Sequence, residues 1–170
     1  MVEKARADRA LLSAEELAHA YLVALQAKDK EAILSLLADD FSLVVPCNVS
    51  GSNDLSDSWR GLESASANYD LAFKVIEVLK YTDIEVTPGR DANVAFAEGR
   101  GVMKMANGRP YENVYVFRFD VDGGKIKRIR EYTNPVTAAM AFGMPLPQTS
   151  VDFGDRFVTV NRGPDIDRKI

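Results

Sequence analysis

From Ser13 onward, Leu17, Tyr21, Ala24 and Leu25 recur at the spacing of a helix that buries one face. Ser13 and Glu16 form a capping box at its start. A second helix is predicted after the N-cap candidate Asp29, with Ile33, Leu36 and Leu37 inward, ending near residues 38–40. Residues 41–45 then read as a short strand stopped by Pro46. A third helix is predicted over residues 62–80, with Leu62, Tyr69, Phe73, Ile76 and Leu79 on or near one face. Beyond it the pattern changes to alternation. Residues 82–87, 93–105, 110–120 and 125–133 read as strands, separated by turn signals at 88–91, Asn107-Gly108 and 121–124. Gly99 and Gly101 inside the second of these strands predict a bulge or bend. A short helical segment follows Pro135 and leads to Gly143.

Three helices followed by an antiparallel meander define an α+β class, because alternating strands and helices would be needed for a doubly wound sheet. A curved sheet wrapped around helices leaves a cone-shaped cavity, a natural place for a small ligand. We expect one domain over residues 1–148 and a C-terminal tail over 149–170. Residues 48–58, rich in Ser, Asn, Asp and Gly, are a loop that reads either as a lid or as a surface insertion.

Composition narrows the function classes. The chain has 170 residues, 46% hydrophobic and 27% charged, which is enough apolar material for a core without disulfides. Its net charge of -4 argues against nucleic acid as a partner. One cysteine, Cys47, rules out an internal disulfide framework and a cysteine-based zinc site. The one histidine, His19, falls off the apolar stripe of the first helix and reads as a surface residue, so no metal site is expected. There is no dinucleotide- or phosphate-binding glycine motif, and no organic cofactor is expected. No apolar run is long enough to span a membrane and the charged N-terminus lacks a signal-peptide core, so the expected location is cytoplasmic.

Candidate chemistry lies in the last two strands. Tyr111, Asn113, Tyr115, Phe117 and Phe119 share one face of the first; Ile129, Glu131 and Thr133 share a face of the second, with Arg128 and Arg130 opposite. Glu131 is therefore the candidate acid or base, its pKa raised by apolar surroundings, with Tyr111 beside it. Tyr115 could donate to an oxygen that gains charge in the reaction, Asn113 shares that face, and Tyr21 could reach the same pocket from the first helix. The competing readings are a Glu131 paired with arginine near the sheet edge and a Tyr21 satisfied within the core. Trp59 is a candidate pocket wall, and Glu98, with Arg100, either lines the cavity mouth or forms an ion pair. On the opposite face, Val114 and Val116 between Glu112 and Arg118 offer a homodimer surface or a solvated face with two isolated valines.

The block Tyr111-Glu112-Asn113, the turn 122–126, residues 130–135 and Ala141-Phe142-Gly143 together resemble the phenazine-biosynthesis A/B proteins. Those belong to the SnoaL-like group of the nuclear transport factor two superfamily. Residues 21–29, 38–41 and 59–61 match that superfamily's patterns, and the resemblance covers roughly residues 13–148. It implies a cystatin-like cone, usually a homodimer, in which a glutamate at position 131 does acid–base work with a tyrosine at position 111 nearby. The histidine that those proteins carry on the third helix has no counterpart in residues 62–69. In the related ketosteroid isomerases, the first-helix tyrosine matches Tyr21, the strand acid falls at Tyr115 and the general base falls near Val45. The expected function is a cofactor-free enzyme that isomerises, cyclises or condenses a small, apolar or cyclic carbonyl compound. A non-catalytic binder of small ligands in the same fold is the alternative.

Overall fold

The computed structural model describes residues 11–47 and 58–144. The helix α1 (Ala14–Ala27) starts at the predicted capping box: the Ser13 side chain accepts from the Glu16 amide at 3.2 Å while the Glu16 carboxylate accepts from the Ser13 amide at 2.8 Å. Leu17, Tyr21, Ala24 and Leu25 are all buried. Lys28 ends α1 in the left-handed conformation (φ 55°). The helix α2 (Lys30–Leu36) is capped by Asp29, whose carboxylate accepts from the Ala32 amide at 2.9 Å. It stops at Leu36, short of the predicted 38–40, because the chain passes directly into strand β1 (Leu37–Val44).

A short strand β2 (Ser58–Arg60) precedes helix α3 (Gly61–Val75). The helix ends five residues before the predicted Lys80. Ile76 is already extended and opens strand β3 (Ile76–Val78), and β-branched Val75, Ile76 and Val78 favour that change. The Lys28 ammonium donates to the Phe73 carbonyl in the last turn of α3 and to the carbonyls of Ile76 and Glu77 just beyond it, tying the end of α1 to the α3–β3 junction.

Strands β4 (Tyr81–Pro88), β5 (Val94–Met105), β6 (Pro110–Asp122) and β7 (Lys125–Thr133) form the meander, and helix α4 (Pro135–Phe142) closes the described region. The sheet order is β2-β1-β7-β6-β5-β3, with β4 also on β5. The sheet is mixed: β1 runs parallel to β7, placing Leu43 beside Ile129 and Val44 beside Arg130. The parallel pairing was not evident from the sequence because it joins segments some 85 residues apart, with no local turn to signal it.

The β5–β6 register is continuous, so Gly99 and Gly101 do not form a bulge against β6. The irregularity sits on β4, between Thr82 and Glu85, where Asp83 adopts φ 53°. A Cβ on Gly99 would meet the Thr82 carbonyl at 3.1 Å, and one on Gly101 would meet the Tyr115 ring at 2.6 Å. The two glycines make room, one for the displaced strand and the other for an aromatic ring. The predicted loop at 48–58, apart from Ser58 in β2, and the tail 149–170 lie outside the described residues. No described helix is long and apolar enough to cross a membrane.

Candidate functional site

The inner face of the sheet and the helices enclose a cavity of about 260 Å³. Strand alternation decides which residues reach it. On β6 the buried positions are Tyr111, Asn113, Tyr115, Phe117 and Phe119, and between them lie the exposed Glu112, Val114 and Val116. On β7, Ile129 is fully buried, Glu131 and Thr133 line the cavity, and Arg128 and Arg130 point to the other face. Directly across the ladder, Glu131 faces Phe117 and Thr133 faces Tyr115.

Glu131 is the one acidic residue among the described cavity lining, and that lining includes no lysine, arginine or histidine. Glu131 is half-buried, and its side chain lines the cavity. Removal from water without a compensating cation pushes its pKa from 4.5 up to about 7. The predicted alternative, a carboxylate paired with Arg128 or Arg130, is not realised. Arg128 donates to the Ser42 hydroxyl at 3.3 Å, and Arg130 lies near Asp120.

Five tyrosines surround the carboxyl closely enough for its charge to oppose ionisation of each: Tyr21, Tyr69, Tyr81, Tyr111 and Tyr115. Burial is the largest cause of the raised pKa in every case. All five therefore stay protonated at neutral pH and serve as O–H donors. The Tyr21 and Tyr69 hydroxyls share a hydrogen bond of 3.0 Å. Tyr115 stacks on Phe117 (5.5 Å, 5°) and meets the Tyr81 ring edge-on at 5.2 Å. Tyr111 receives a hydrogen bond from the Asn113 amide at 3.2 Å and packs edge-on against Phe142 of α4 at 5.8 Å. The Thr133 hydroxyl is buried beside this group with no partner among the described residues.

The site residues expected from the sequence divide accordingly. Glu131, Tyr111, Tyr115, Tyr21 and Trp59 all line the cavity, with Trp59 partly exposed. Asn113 does not. Its carbonyl oxygen accepts from the Asn134 amide (3.2 Å), and its amide donates to the Asn134 carbonyl (3.1 Å) and to Tyr111, so it braces the Tyr111 hydroxyl from outside the cavity lining. Glu98 is a correction: it is exposed on the outer face with Phe96, Arg100 and Val102, because the buried inward positions of β5 are Ala95, Ala97, Gly101, Met103 and Met105. Tyr69, Tyr81 and Thr133 are cavity residues that the sequence reading did not assign to the site. Tyr69 looked like an ordinary core residue on the apolar stripe of α3. Tyr81 fell one residue before the predicted strand. Thr133 shared the face of Glu131, and that was the signal available.

The chain belongs to the SnoaL-like domain family, whose model matches residues 18–129. That match ends two residues before Glu131, so the case for this carboxyl rests on its geometry. The phenazine biosynthesis protein PhzA1 of Pseudomonas aeruginosa is 29% identical over 99 residues, covering 55% of this chain and 60% of that protein. The chain thus aligns with somewhat less than two thirds of that relative. Among solved structures, a candidate isomerase from Bacillus subtilis superposes with a TM-score of 0.68 at 24% identity, covering 79% of this chain and 96% of that one. A candidate polyketide cyclase from Pseudomonas putida superposes with a TM-score of 0.63 at 26% identity, covering 76% and 98%.

Proposed function

We propose that the protein is a cofactor-independent isomerase or cyclase in which Glu131 moves a proton at the carbon next to a carbonyl. A second element of the proposal is that the enolate oxygen so formed accepts hydrogen bonds from Tyr21, Tyr111 or Tyr115. The observation that carries it is the isolated carboxyl of Glu131, held near pH 7 inside an apolar cavity ringed by un-ionised tyrosines. A base works best when its pKa lies near the working pH, and neutral hydroxyls stabilise a charge that appears only during reaction. The resemblances to a candidate isomerase, a candidate cyclase and a phenazine biosynthesis protein agree with chemistry of this class.

The cavity also bounds the substrate. A cavity of about 150 Å³ takes benzene, so a volume of about 260 Å³ suits a compound of roughly two rings. The absence of any cation among the described lining residues favours a neutral substrate over one that buries a carboxylate or phosphate there. We further propose a homodimer through the outer face of β5, β6 and β7, where Val102, Val114, Val116 and Tyr132 are exposed together.

The direct test is hydrogen–deuterium exchange next to the carbonyl in a panel of one- and two-ring ketones. The wild-type protein should catalyse exchange for at least one, and Glu131→Gln should slow it by roughly 10²–10⁴-fold. Equal exchange by both proteins would remove Glu131 from the chemistry. Tight binding of a ketone with no exchange by the wild type would instead identify a binding protein.

A further inference from the structure

The outer face of the sheet carries a second constellation that the cavity chemistry does not use. Ser42 of β1 pairs in register with Arg60 of β2 on one side and with Arg128 of β7 on the other, and the next outward pair along is Val44 with Arg130. Three arginines thus line a cleft of about 160 Å³ together with Ser42 and Val44, with no carboxylate among these lining residues. Ser42, one of the lining residues, is 9% exposed.

The arginines have few acceptors within the described residues. Arg128 reaches the Ser42 hydroxyl, and no carboxylate there lies within 4 Å of Arg60 or Arg128. Arg130 approaches Asp120 Oδ2 only at 3.9 Å, too long for a hydrogen bond, and that oxygen itself has no hydrogen-bond partner. The other carboxylate oxygen, Asp120 Oδ1, is taken by Arg118 at 2.8 and 3.0 Å. Each guanidinium offers five N–H donors in a fixed planar fork, a geometry that matches an oxyanion two bonds at a time. Three such groups on one face repel one another, and Asp120, opposite Arg128 on β6, 3.9 Å from Arg130 and already bonded to Arg118, offsets only part of that charge. In a chain of net charge -4 the concentration of cations is local to this cleft rather than general.

We propose that the Arg60–Arg128–Arg130 cleft binds a phosphate group, either as the free ion or at the end of a small phosphate ester. The two guanidiniums flanking Ser42 would grip it from opposite sides, and Arg130 would close the third. The sheet separates this site from the cavity, since Ile129 and Glu131, alternating with these arginines, face the other way. It is therefore independent of the proposed reaction.

The experiment is an NMR titration of the full chain with inorganic phosphate, and in a second arm with phenyl phosphate, at constant ionic strength set with sodium chloride. We expect saturable shifts at Ser42, Arg60, Arg128 and Arg130. Saturation by inorganic phosphate alone would identify a free-ion site; saturation by both would identify a phosphate-ester site. Arg128→Gln and Arg130→Gln should each weaken binding roughly tenfold, as loss of one charge-assisted hydrogen-bonding group does. Lys127→Gln, which removes an equal charge from the same strand but outside the cleft, should leave it unchanged. Absence of saturation in both arms, equal weakening by Lys127→Gln, or shifts centred on the inner cavity would each overturn the proposal.

Discussion

At the scale of single residues, the same desolvation that suits Glu131 to proton transfer makes it a burden on stability when it ionises. Its pKa is displaced upward on folding, from 4.5 to about 7. The folded state therefore holds its proton more tightly than the unfolded chain does. That contribution is complete below about pH 4.5 and is lost as the pH rises through about 7, a difference of about 3 kcal/mol. Glu131→Gln keeps the shape without the titration. We expect it to match the wild type in urea melts near pH 4 and to exceed it by up to about 3 kcal/mol at pH 8. A stability difference independent of pH would show that the carboxyl is not desolvated. Much at this scale was legible beforehand: strand alternation alone turned Glu131, Tyr111 and Tyr115 inward. The parity that hid Glu98 was equally available, since Phe96, Glu98, Arg100 and Val102 share one face of β5. The glycines at 99 and 101 obscured it by suggesting a bulge that the structure places on the neighbouring strand instead.

At the scale of elements, Asn113 ties β6 to the turn between β7 and α4. Its side chain bonds both backbone groups of Asn134, and the Asn134 side chain in turn caps α4 through the Val136 and Thr137 amides at 3.0 and 3.4 Å. Replacing Asn113 with Ala removes both bonds to the Asn134 backbone, which position the capping residue, and frees the Tyr111 hydroxyl. The expected loss is about 2–3 kcal/mol in a denaturant melt, accompanied by weaker ligand binding. A loss below about 0.5 kcal/mol, the usual range of an uncoupled surface substitution, would show that the turn does not depend on it. Capping signals marked α1 and α2 in the sequence, and Pro135 marked α4, because those signals are local. The end of α3 was not marked. A run of apolar residues continues through Val75, Ile76, Val78 and Leu79, and helical and extended spacing both fit so short a stretch.

At the scale of the whole molecule, one sheet separates two chemistries. Its inner face holds an apolar cavity with a single carboxyl among the described residues, and its outer face holds exposed valines at one end and an arginine cleft at the other. The homodimer proposed for the apolar region predicts that Val116→Asp shifts sedimentation from dimer to monomer while leaving the circular dichroism spectrum unchanged. A wild-type chain that sediments as a monomer at micromolar concentration would remove that element of the account. The α+β cone was readable from the order of helices and strands, but the parallel β1–β7 pair that completes the cavity wall was not. The pairing depends on contacts far apart in sequence, and no turn residue announces it. The central claim remains that Glu131 is a desolvated carboxyl poised near neutrality. The most direct measurement is a pH titration of its side-chain carboxyl carbon by NMR, with assignment from Glu131→Gln. A midpoint close to 7 is the predicted result; a midpoint near 4.5, that of an ordinary solvated glutamate, would contradict it.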